Sequence, residues 1–151
     1  MILITYKMLF YTKRIERFMD CIPSDWGEGY DNVTIGCTIE NQDRADQRLS
    51  LFSKMPIKHK NIICQPLIEK IDIEKYLDKV ELVVVGGESD RNARTLDYNW
   101  VLDIRKQCIR KNVPFEFRQC GTHFLKDGKE YTIPTKQLMS QARKANINTT
   151  K

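Results

Sequence analysis

Acidic, basic and amide residues follow directly after each of five apolar stretches in this sequence of 151 residues. In the clearest case, residues 81–90 read ELVVVGGESD, so an apolar run leads through two glycines to a glutamate and a serine. A continuous β-branched run is typical of a strand that is buried on both faces of a sheet. The residues concerned in the five places are Lys13, Arg14, Glu40, Asn41, Gln65, Gly86, Gly87, Glu88, Ser89, Arg118 and Gln119.

This set of residues has the chemistry of a binding site for a small polar molecule. Glu40 and Glu88 can accept hydrogen bonds from hydroxyl or amine groups, and Lys13, Arg14 and Arg118 can bind carboxylate or phosphate. We expect Glu88 to share a pocket with Glu40 and Arg118. Two unpaired carboxylates would repel, so we also expect Glu88 to have Arg118, Lys13 or Arg14 as a basic partner. Strand ends also turn polar because they reach solvent, so a solvated Glu88 is the alternative. The pattern assigns no catalytic residue.

Five strands separated by helices would bring these residues to one place. The predicted strands are residues 2–11, 33–39, 60–64, 82–85 and 114–119. Helical patterns lie between them at residues 15–22, 42–55, 71–77 and 98–111, and Asn41 and Asp97 are suitable N-caps for the second and the fourth. Because the connections are too long for hairpins, this order indicates a parallel α/β sheet with right-handed crossovers. The strands of such a sheet all end at the same rim.

The last part of the chain differs from this alternating pattern. We interpret residues 1–126 as one domain and residues 127–151 as a C-terminal extension. In the extension, Asp127 and Gly128 predict a tight turn, residues 135–145 a helix with Lys136, Arg143 and Lys144, and residues 146–151 a frayed end. With a formal net charge of +5, this basic helix suggests a nucleic-acid accessory role, although a solvated helix face explains the same charges.

Composition narrows the class of protein. A hydrophobic fraction of 41% and a charged fraction of 30% are typical of a globular protein, and we find neither an apolar run of membrane-spanning length nor a secretory signal. The five cysteines are widely spaced and form no CxxC pair, which favours reduced thiols in a cytoplasmic protein. Cys37, Cys64 and Cys120 lie on or just after neighbouring predicted strands, but isolated cysteines are more often buried apolar residues than metal ligands.

Seven short motifs in a fixed order carry a resemblance to one family. They are TKRIER at residues 12–17, GCTIENQ at 36–42, CQPL at 64–67, VVGGES at 84–89, NAR at 92–94, WVLDIRKQC at 100–108 and VPFEFRQCG at 113–121. In this order and spacing they resemble the phage gp-thirty-seven/gp-sixty-eight family, a bacterial and phage domain of unknown function. The resemblance implies a partial (β/α) barrel of about five parallel strands that is TIM-like and radical-SAM-like.

The resemblance also bears on cofactors. Members of that family usually carry a cysteine-rich segment before the first strand seen here, so the resemblance implies that this chain corresponds to their C-terminal part. S-adenosylmethionine is a cofactor suggested by the resemblance alone. An iron–sulfur cluster is not expected on this chain, because a cluster needs closely spaced thiolates. Gln65 stands where the family pattern has a glutamate, and Cys120 where it has a tryptophan.

These departures favour a non-catalytic protein, whose open sheet edges pair with a second copy or with a complementing chain. The alternative is a part of a radical SAM enzyme that a cysteine-bearing segment completes and that binds a nucleotide-like ligand at the rim. A nucleic-acid-binding accessory protein is the third hypothesis. The sequence leaves open whether the protein is an enzyme.

Overall fold

The structure of the protein, a computed structural model, describes residues 6–150. Its strands are β1 (Met8–Thr12), β2 (Val33–Thr38), β3 (His59–Cys64), β4 (Val80–Gly86), β5 (Leu96–Asp97), β6 (Phe115–Gln119), β7 (His123–Lys126) and β8 (Lys129–Thr132). The α-helices are α1 (Phe18–Cys21), α2 (Gln42–Phe52), α3 (Tyr98–Arg110) and α4 (Leu138–Lys144), and short 3-10 turns lie at Ile15–Arg17, Glu74–Tyr76 and Thr135–Gln137.

Five of the strands form one parallel sheet in the order β1, β2, β3, β4, β6. The sequence-based prediction of an α/β fold with five parallel strands is therefore confirmed. Residues 2–5 of the predicted first strand lie outside the described residues.

One face of this sheet carries the main core. Alternating side chains of β2 and β3 are buried there in the same apolar cluster as one face of α2 and one face of α3; the helical members are Ala45, Leu49, Phe52, Val101, Ile104 and Cys108. Both helices begin at the predicted caps. Asn41 Oδ1 accepts a hydrogen bond from Arg44 N at 2.9 Å, and Asp97 Oδ1 accepts one from Asn99 N at 2.8 Å.

The opposite face of the sheet is concave. A Cβ atom placed on Gly36 of β2 would lie 2.5 Å from Cδ1 of Tyr11, so the tyrosine ring of β1 lies on this face. Arg118 of β6 donates a hydrogen bond from Nη1 to the Tyr11 hydroxyl at 3.3 Å, although β1 and β6 are the two edge strands. Four strand spacings would separate the edges of a flat sheet by about 19 Å, farther than the two side chains together extend. The sheet therefore curves strongly, which is consistent with a partial barrel.

The C-terminal segment covers the outer edge of β6. After β6 the chain forms the β7–β8 hairpin and then α4, which packs against β6. The tail after α4 then hydrogen-bonds β6 itself: Thr149 N donates to Phe115 O at 2.9 Å, and Phe117 N donates to Asn148 Oδ1 at 2.7 Å. The prediction of a frayed end is wrong for residues 146–150, because these bonds satisfy edge groups of β6 that would otherwise face solvent.

Two local predictions, a tight turn at residues 127–128 and a helix at residues 71–77, had different outcomes. Asp127 and Gly128 have φ angles of 53° and 73°, so the predicted tight turn is confirmed. Residues 71–77 were predicted as a helix, but only Glu74–Tyr76 form a 3-10 turn. The side-chain amide of Gln107 replaces helical bonds here, since it accepts from Ile73 N at 2.8 Å and donates to Ile71 O at 3.0 Å.

The helices of the described chain are short. The longest, α3, has 13 residues, whereas a transmembrane helix needs about 20 apolar residues. Within residues 6–150, none of the helices has both the length and the apolar character that crossing a membrane requires.

Candidate functional site

Backbone hydrogen bonds fasten the loops at the carboxyl ends of the parallel strands to one another. They run from Ile68 N to Glu40 O (3.1 Å), from Leu67 N to Gly86 O (2.9 Å), from Gly87 N to Gln119 O (3.2 Å) and from Thr122 N to Glu88 O (2.8 Å). The loops after β2, β3, β4 and β6 are thus held at one rim. Side chains that leave this rim start from fixed backbone positions, which is what a preformed binding site needs.

The two glycines after β4 allow close packing at the rim. A Cβ atom on Gly87 would lie 2.4 Å from the Cα of Gly121, so the two backbones are in direct contact. A Cβ atom on Gly86 would lie 2.9 Å from Cδ of Gln65, whose side chain covers it. Gln119 adds a further bond by donating from Nε2 to Gly87 O at 2.8 Å. These glycines are required by their neighbours, and neither has a positive φ angle.

Glu88 is held by Arg94 from the loop that follows it. Its Oε2 accepts hydrogen bonds from the backbone N of Arg94 at 2.7 Å and from Nε of Arg94 at 3.0 Å, and its Oε1 accepts one from Nη2. The Glu88 side chain is 18% exposed and the Arg94 side chain 56%. The hydrogen bonds from Arg94 lower the pKa of the Glu88 carboxyl, although burial acts in the opposite direction. Glu88 is therefore ionised at neutral pH.

Further charges surround this pair. The charge of Lys13 also lowers the pKa of Glu88, and the charge of Glu40 adds to the effect of Glu88 in raising the pKa of Arg94. Glu40 itself accepts a hydrogen bond from Nη1 of Arg48 at 2.8 Å, in a pair that is largely buried. Charges from the loops after β1, β2 and β4 therefore influence one another across the rim.

The partner of Glu88 is none of the three that the sequence suggested, Arg118, Lys13 and Arg14. Arg118 turns onto the concave face, where its Nε donates to Glu116 at 3.0 Å and its Nη1 bonds Tyr11. Arg14 pairs with Glu16 instead, at 2.6 Å on an exposed turn. The cation that binds Glu88 is Arg94, and its only signal in the sequence was the NAR motif that contributed to the family resemblance.

The remaining predicted site residues have separate positions. Asn41 caps α2, and Ser89 is exposed at the outer end of the loop.

Asn61 is a possible site residue that the sequence did not predict. The Lys60 side chain points towards α2, where its Nζ donates to Ser53 O. Because side chains alternate along β3, Asn61 lies on the concave face. It is 7% exposed, and its side-chain amide, whose polar atoms are not fully buried, forms no hydrogen bond to another residue in the described range. Such an amide can serve as a donor and acceptor for a ligand.

Four of the five cysteines, all of them buried, are not poised for thiolate chemistry. Burial raises the pKa of Cys37 and Cys108 to about 12 and that of Cys120 to about 11, and raises that of Cys64 well above its usual value. These four thiols are therefore protonated at neutral pH. Across residues 6–150, no group of three or more His, Cys, Asp or Glu side chains is arranged to hold a metal ion. His59 pairs with Glu81 at the opposite end of the sheet.

Comparison with known proteins gives one match. The model of a family described as "Protein of unknown function (DUF5131)" matches residues 3–149. No curated protein and no solved structure matches the chain. The family match includes both the rim and the segment that covers β6, so the two parts belong to the region that the family model describes.

Proposed function

The chain belongs to this family of proteins of unknown function (DUF5131), and we propose that it binds a small nucleoside- or nucleotide-like molecule at the rim without transforming it. The observation that carries the proposal is the ionised Glu88–Arg94 pair, fixed on the rim with Lys13 and Glu40 in its electrostatic surroundings. A molecule with hydroxyl groups and an acidic group matches this combination of a carboxylate with nearby cations.

The hydrogen-bonding capacity of the rim supports such a ligand. A carboxylate has about four lone pairs, and Arg94 occupies three of those on Glu88. The remaining lone pair can accept a hydroxyl or amine group of the ligand. Lys13 is exposed and forms no salt bridge with another described residue, so it is available to a phosphate or carboxylate.

The concave face offers a place for the ring of such a ligand. Tyr11 is 46% exposed and lies across this face, next to the Arg118 guanidinium. An aromatic ring and a guanidinium both stack on nucleobases, and the Asn61 amide can hydrogen-bond a base edge. We therefore propose that the base stacks on the Tyr11 ring, which covers Gly36, with its edge towards Asn61, while the sugar and its substituents reach Glu88 and Lys13.

The protonation states support binding rather than catalysis. A carboxylate held ionised by three hydrogen bonds is a poor proton donor, and a buried protonated thiol is a poor nucleophile. Glu88 and the four buried cysteines therefore do not supply the usual acid or nucleophile at neutral pH. The non-catalytic role that the sequence favoured therefore remains part of our proposal.

We also propose that the fold is related to that of the phage family which the sequence motifs resemble. The consecutive parallel strands and the strong curvature support a TIM-like, radical-SAM-like partial barrel related to the phage gp-thirty-seven/gp-sixty-eight family. S-adenosylmethionine is a nucleoside-like molecule whose ammonium and carboxylate groups fit Glu88 and Lys13, and when bound it would supply a sulfonium group. The alternative, a part of a radical SAM enzyme completed by a cysteine-bearing segment, uses the same rim residues.

A partner fits the edge at β1 better than the edge at β6. The C-terminal tail covers β6, whereas Met8, Leu9 and Phe10 of β1 are 44%, 49% and 53% exposed. A second copy of the chain or a complementing chain would bury these side chains.

We further propose a cytoplasmic location, which the buried free thiols support. The third hypothesis, nucleic-acid binding by the basic C-terminal helix, rests on its charges alone.

The test of the rim is a binding titration with adenosine, AMP and S-adenosylmethionine, measured by calorimetry and mapped by NMR. We expect Glu88→Gln to weaken adenosine and AMP about tenfold, or about 1.4 kcal/mol, since a neutral amide replaces the charged carboxylate that accepts the ligand hydroxyl. Lys13→Met should weaken AMP but not adenosine. The matched control is Glu81→Gln, which breaks a carboxylate pair at the opposite end of the sheet. Equal affinities in Glu88→Gln and Glu81→Gln, or no binding of the three compounds at millimolar concentration, would disprove the proposal.

A further inference from the structure

A cavity lies on the side of β6 opposite the concave face, where the C-terminal segment packs. Its volume is about 420 Å³, within the range of small-molecule pockets, and we call it the C-terminal cavity. Its aromatic lining residues are Tyr98 of α3, Phe117 of β6, Phe124 of β7 and Tyr131 of β8. It shares no residue with the predicted rim site.

The aromatic side chains form a continuous wall. The rings of Phe117 and Phe124 lie 6.3 Å apart with an interplanar angle of 25°, and the ring of Tyr98 meets that of Phe124 edge-on at 5.7 Å. Phe117 and Phe124 are nearly buried, whereas Tyr131 is 41% exposed on the hairpin opposite. A flat aromatic ligand could therefore contact the buried wall on one side and Tyr131 on the other.

The charges at this cavity are all of one sign. Lys126 and Lys144 line it, and none of its lining residues is acidic. Lys126 Nζ lies 5.3 Å from the centroid of the Tyr98 ring, so the ring helps to place this ammonium at the cavity. Neither lysine forms a salt bridge within the described part of the chain, so both charges are free to meet an anion. The positive charge of Lys126 also reaches the Cys120 thiol on the cavity wall.

We infer that the C-terminal cavity is a binding site for a small aromatic anion: its wall takes a planar ring, and Lys126 and Lys144 take the carboxylate or phosphate attached to that ring. Free aromatic acids and mononucleotides share this chemistry, and the experiment below separates them. The inference does not depend on the rim. Cys120 and Gly121 nevertheless connect the two sites, because Cys120 N bonds Leu138 O of α4 while Gly121 packs on Gly87.

The experiment titrates the full chain with indole-3-acetate, with its neutral counterpart indole-3-acetamide, and with AMP, and follows amide chemical shifts by NMR. We expect indole-3-acetate to shift the signals of Thr132, Ile133 and Gln141, which line the cavity, and to bind more tightly than the amide. Binding of AMP at these residues would include nucleotides in the ligand class, and its absence there would limit the class to other aromatic acids.

Charge-removing variants complete the test. Lys126→Met and Lys144→Met should each weaken indole-3-acetate about two- to fivefold, as expected for partly exposed ion pairs. Lys136→Met, on the neighbouring turn but outside the cavity, should have no effect. Ala145→Phe fills the cavity and should abolish binding, with circular dichroism as the check on folding. Equal binding of acid and amide, unchanged binding in both Lys126→Met and Lys144→Met, or shifts confined to the rim would overturn the inference. Glu88→Gln should leave indole-3-acetate binding unchanged, so failure at the rim and failure at the cavity are distinguishable.

Discussion

Removing the Arg94 side chain should reveal how strongly the Glu88 carboxylate depends on it. Arg94→Met keeps the apolar stem but deletes the Nε and Nη2 donors, leaving Glu88 with one hydrogen bond from the backbone N of residue 94. Since the Glu88 side chain is only 18% exposed, water replaces the lost donors incompletely. The variant should therefore be less stable than the wild-type protein.

The expected loss in the free energy of unfolding depends on the strength of the deleted hydrogen bonds and on how far solvent screens them. Hydrogen bonds to a charged group contribute about 1.5–3 kcal/mol each, but the Arg94 side chain is 56% exposed, and solvent screening reduces the value of such a pair. We expect Arg94→Met to lower the free energy of unfolding by about 1–2 kcal/mol at pH 7. Arg94→Lys keeps the charge without the planar fork and should lose about half as much.

The pH dependence gives the sharper test. The pKa of Glu88 is lowered in the folded protein, so its contribution to stability is fully present above the unfolded value of about 4.3 and is lost as the pH falls through the folded pKa. The difference between wild type and Arg94→Met should thus be constant near neutral pH and should shrink below about pH 4.

Urea unfolding at several pH values measures this difference, with Glu81→Gln as a control for loss of a pair far from the rim. A loss below about 0.5 kcal/mol, or a difference that does not change between pH 7 and pH 3.5, would refute the proposed role of Arg94.

Two further predictions concern packing at the rim and the open edge of the sheet. Gly87→Ala should cost about 3 kcal/mol in urea unfolding, because the Gly121 backbone cannot move aside, whereas Gly36→Ala should cost nearer 1 kcal/mol, because the Tyr11 ring can rotate away. Equal losses would show that the close approach at Gly87 is not rigid. If a second copy covers β1, the wild-type chain should sediment as a dimer and Phe10→Lys as a monomer, while Met139→Lys, at an equally exposed position on α4, stays dimeric. The same mass for wild type and Phe10→Lys would contradict a β1 interface between copies.

The parts of the fold that the sequence predicted correctly are those with strong local signals. The continuous run Leu82–Val85 lies within β4, and Asn41 and Asp97 cap the helices expected after them. Each signal depends only on neighbours in the chain: burial on both faces for the strand, and an unpaired backbone N–H for the cap. The parallel order followed because no predicted connection was short enough for a hairpin.

The parts that could not be predicted depend on contacts between distant segments. The tail pairs with β6 about thirty residues earlier in the chain, as shown by the bond between Phe117 and Asn148. The sequence of residues 146–150 contains no apolar pattern that would indicate this pairing. The C-terminal cavity likewise requires β6, the hairpin and α4 to be in place before its lining residues meet. Neither arrangement leaves a signal in the local sequence pattern.

The partner of Glu88 was missed for a different reason, because Arg94 is only six residues away. The polar residues of the sequence predicted a cation on a neighbouring strand end, where parallel strands converge. Closing a short loop costs less conformational entropy than joining distant segments, so a cation within the same loop has the advantage whenever its side chain can turn back. The loop of residues 88–94 allows this, because the backbone N of Arg94 also binds Glu88 and fixes the turn. Arg118 is then free to cross the concave face and to donate a hydrogen bond to Tyr11.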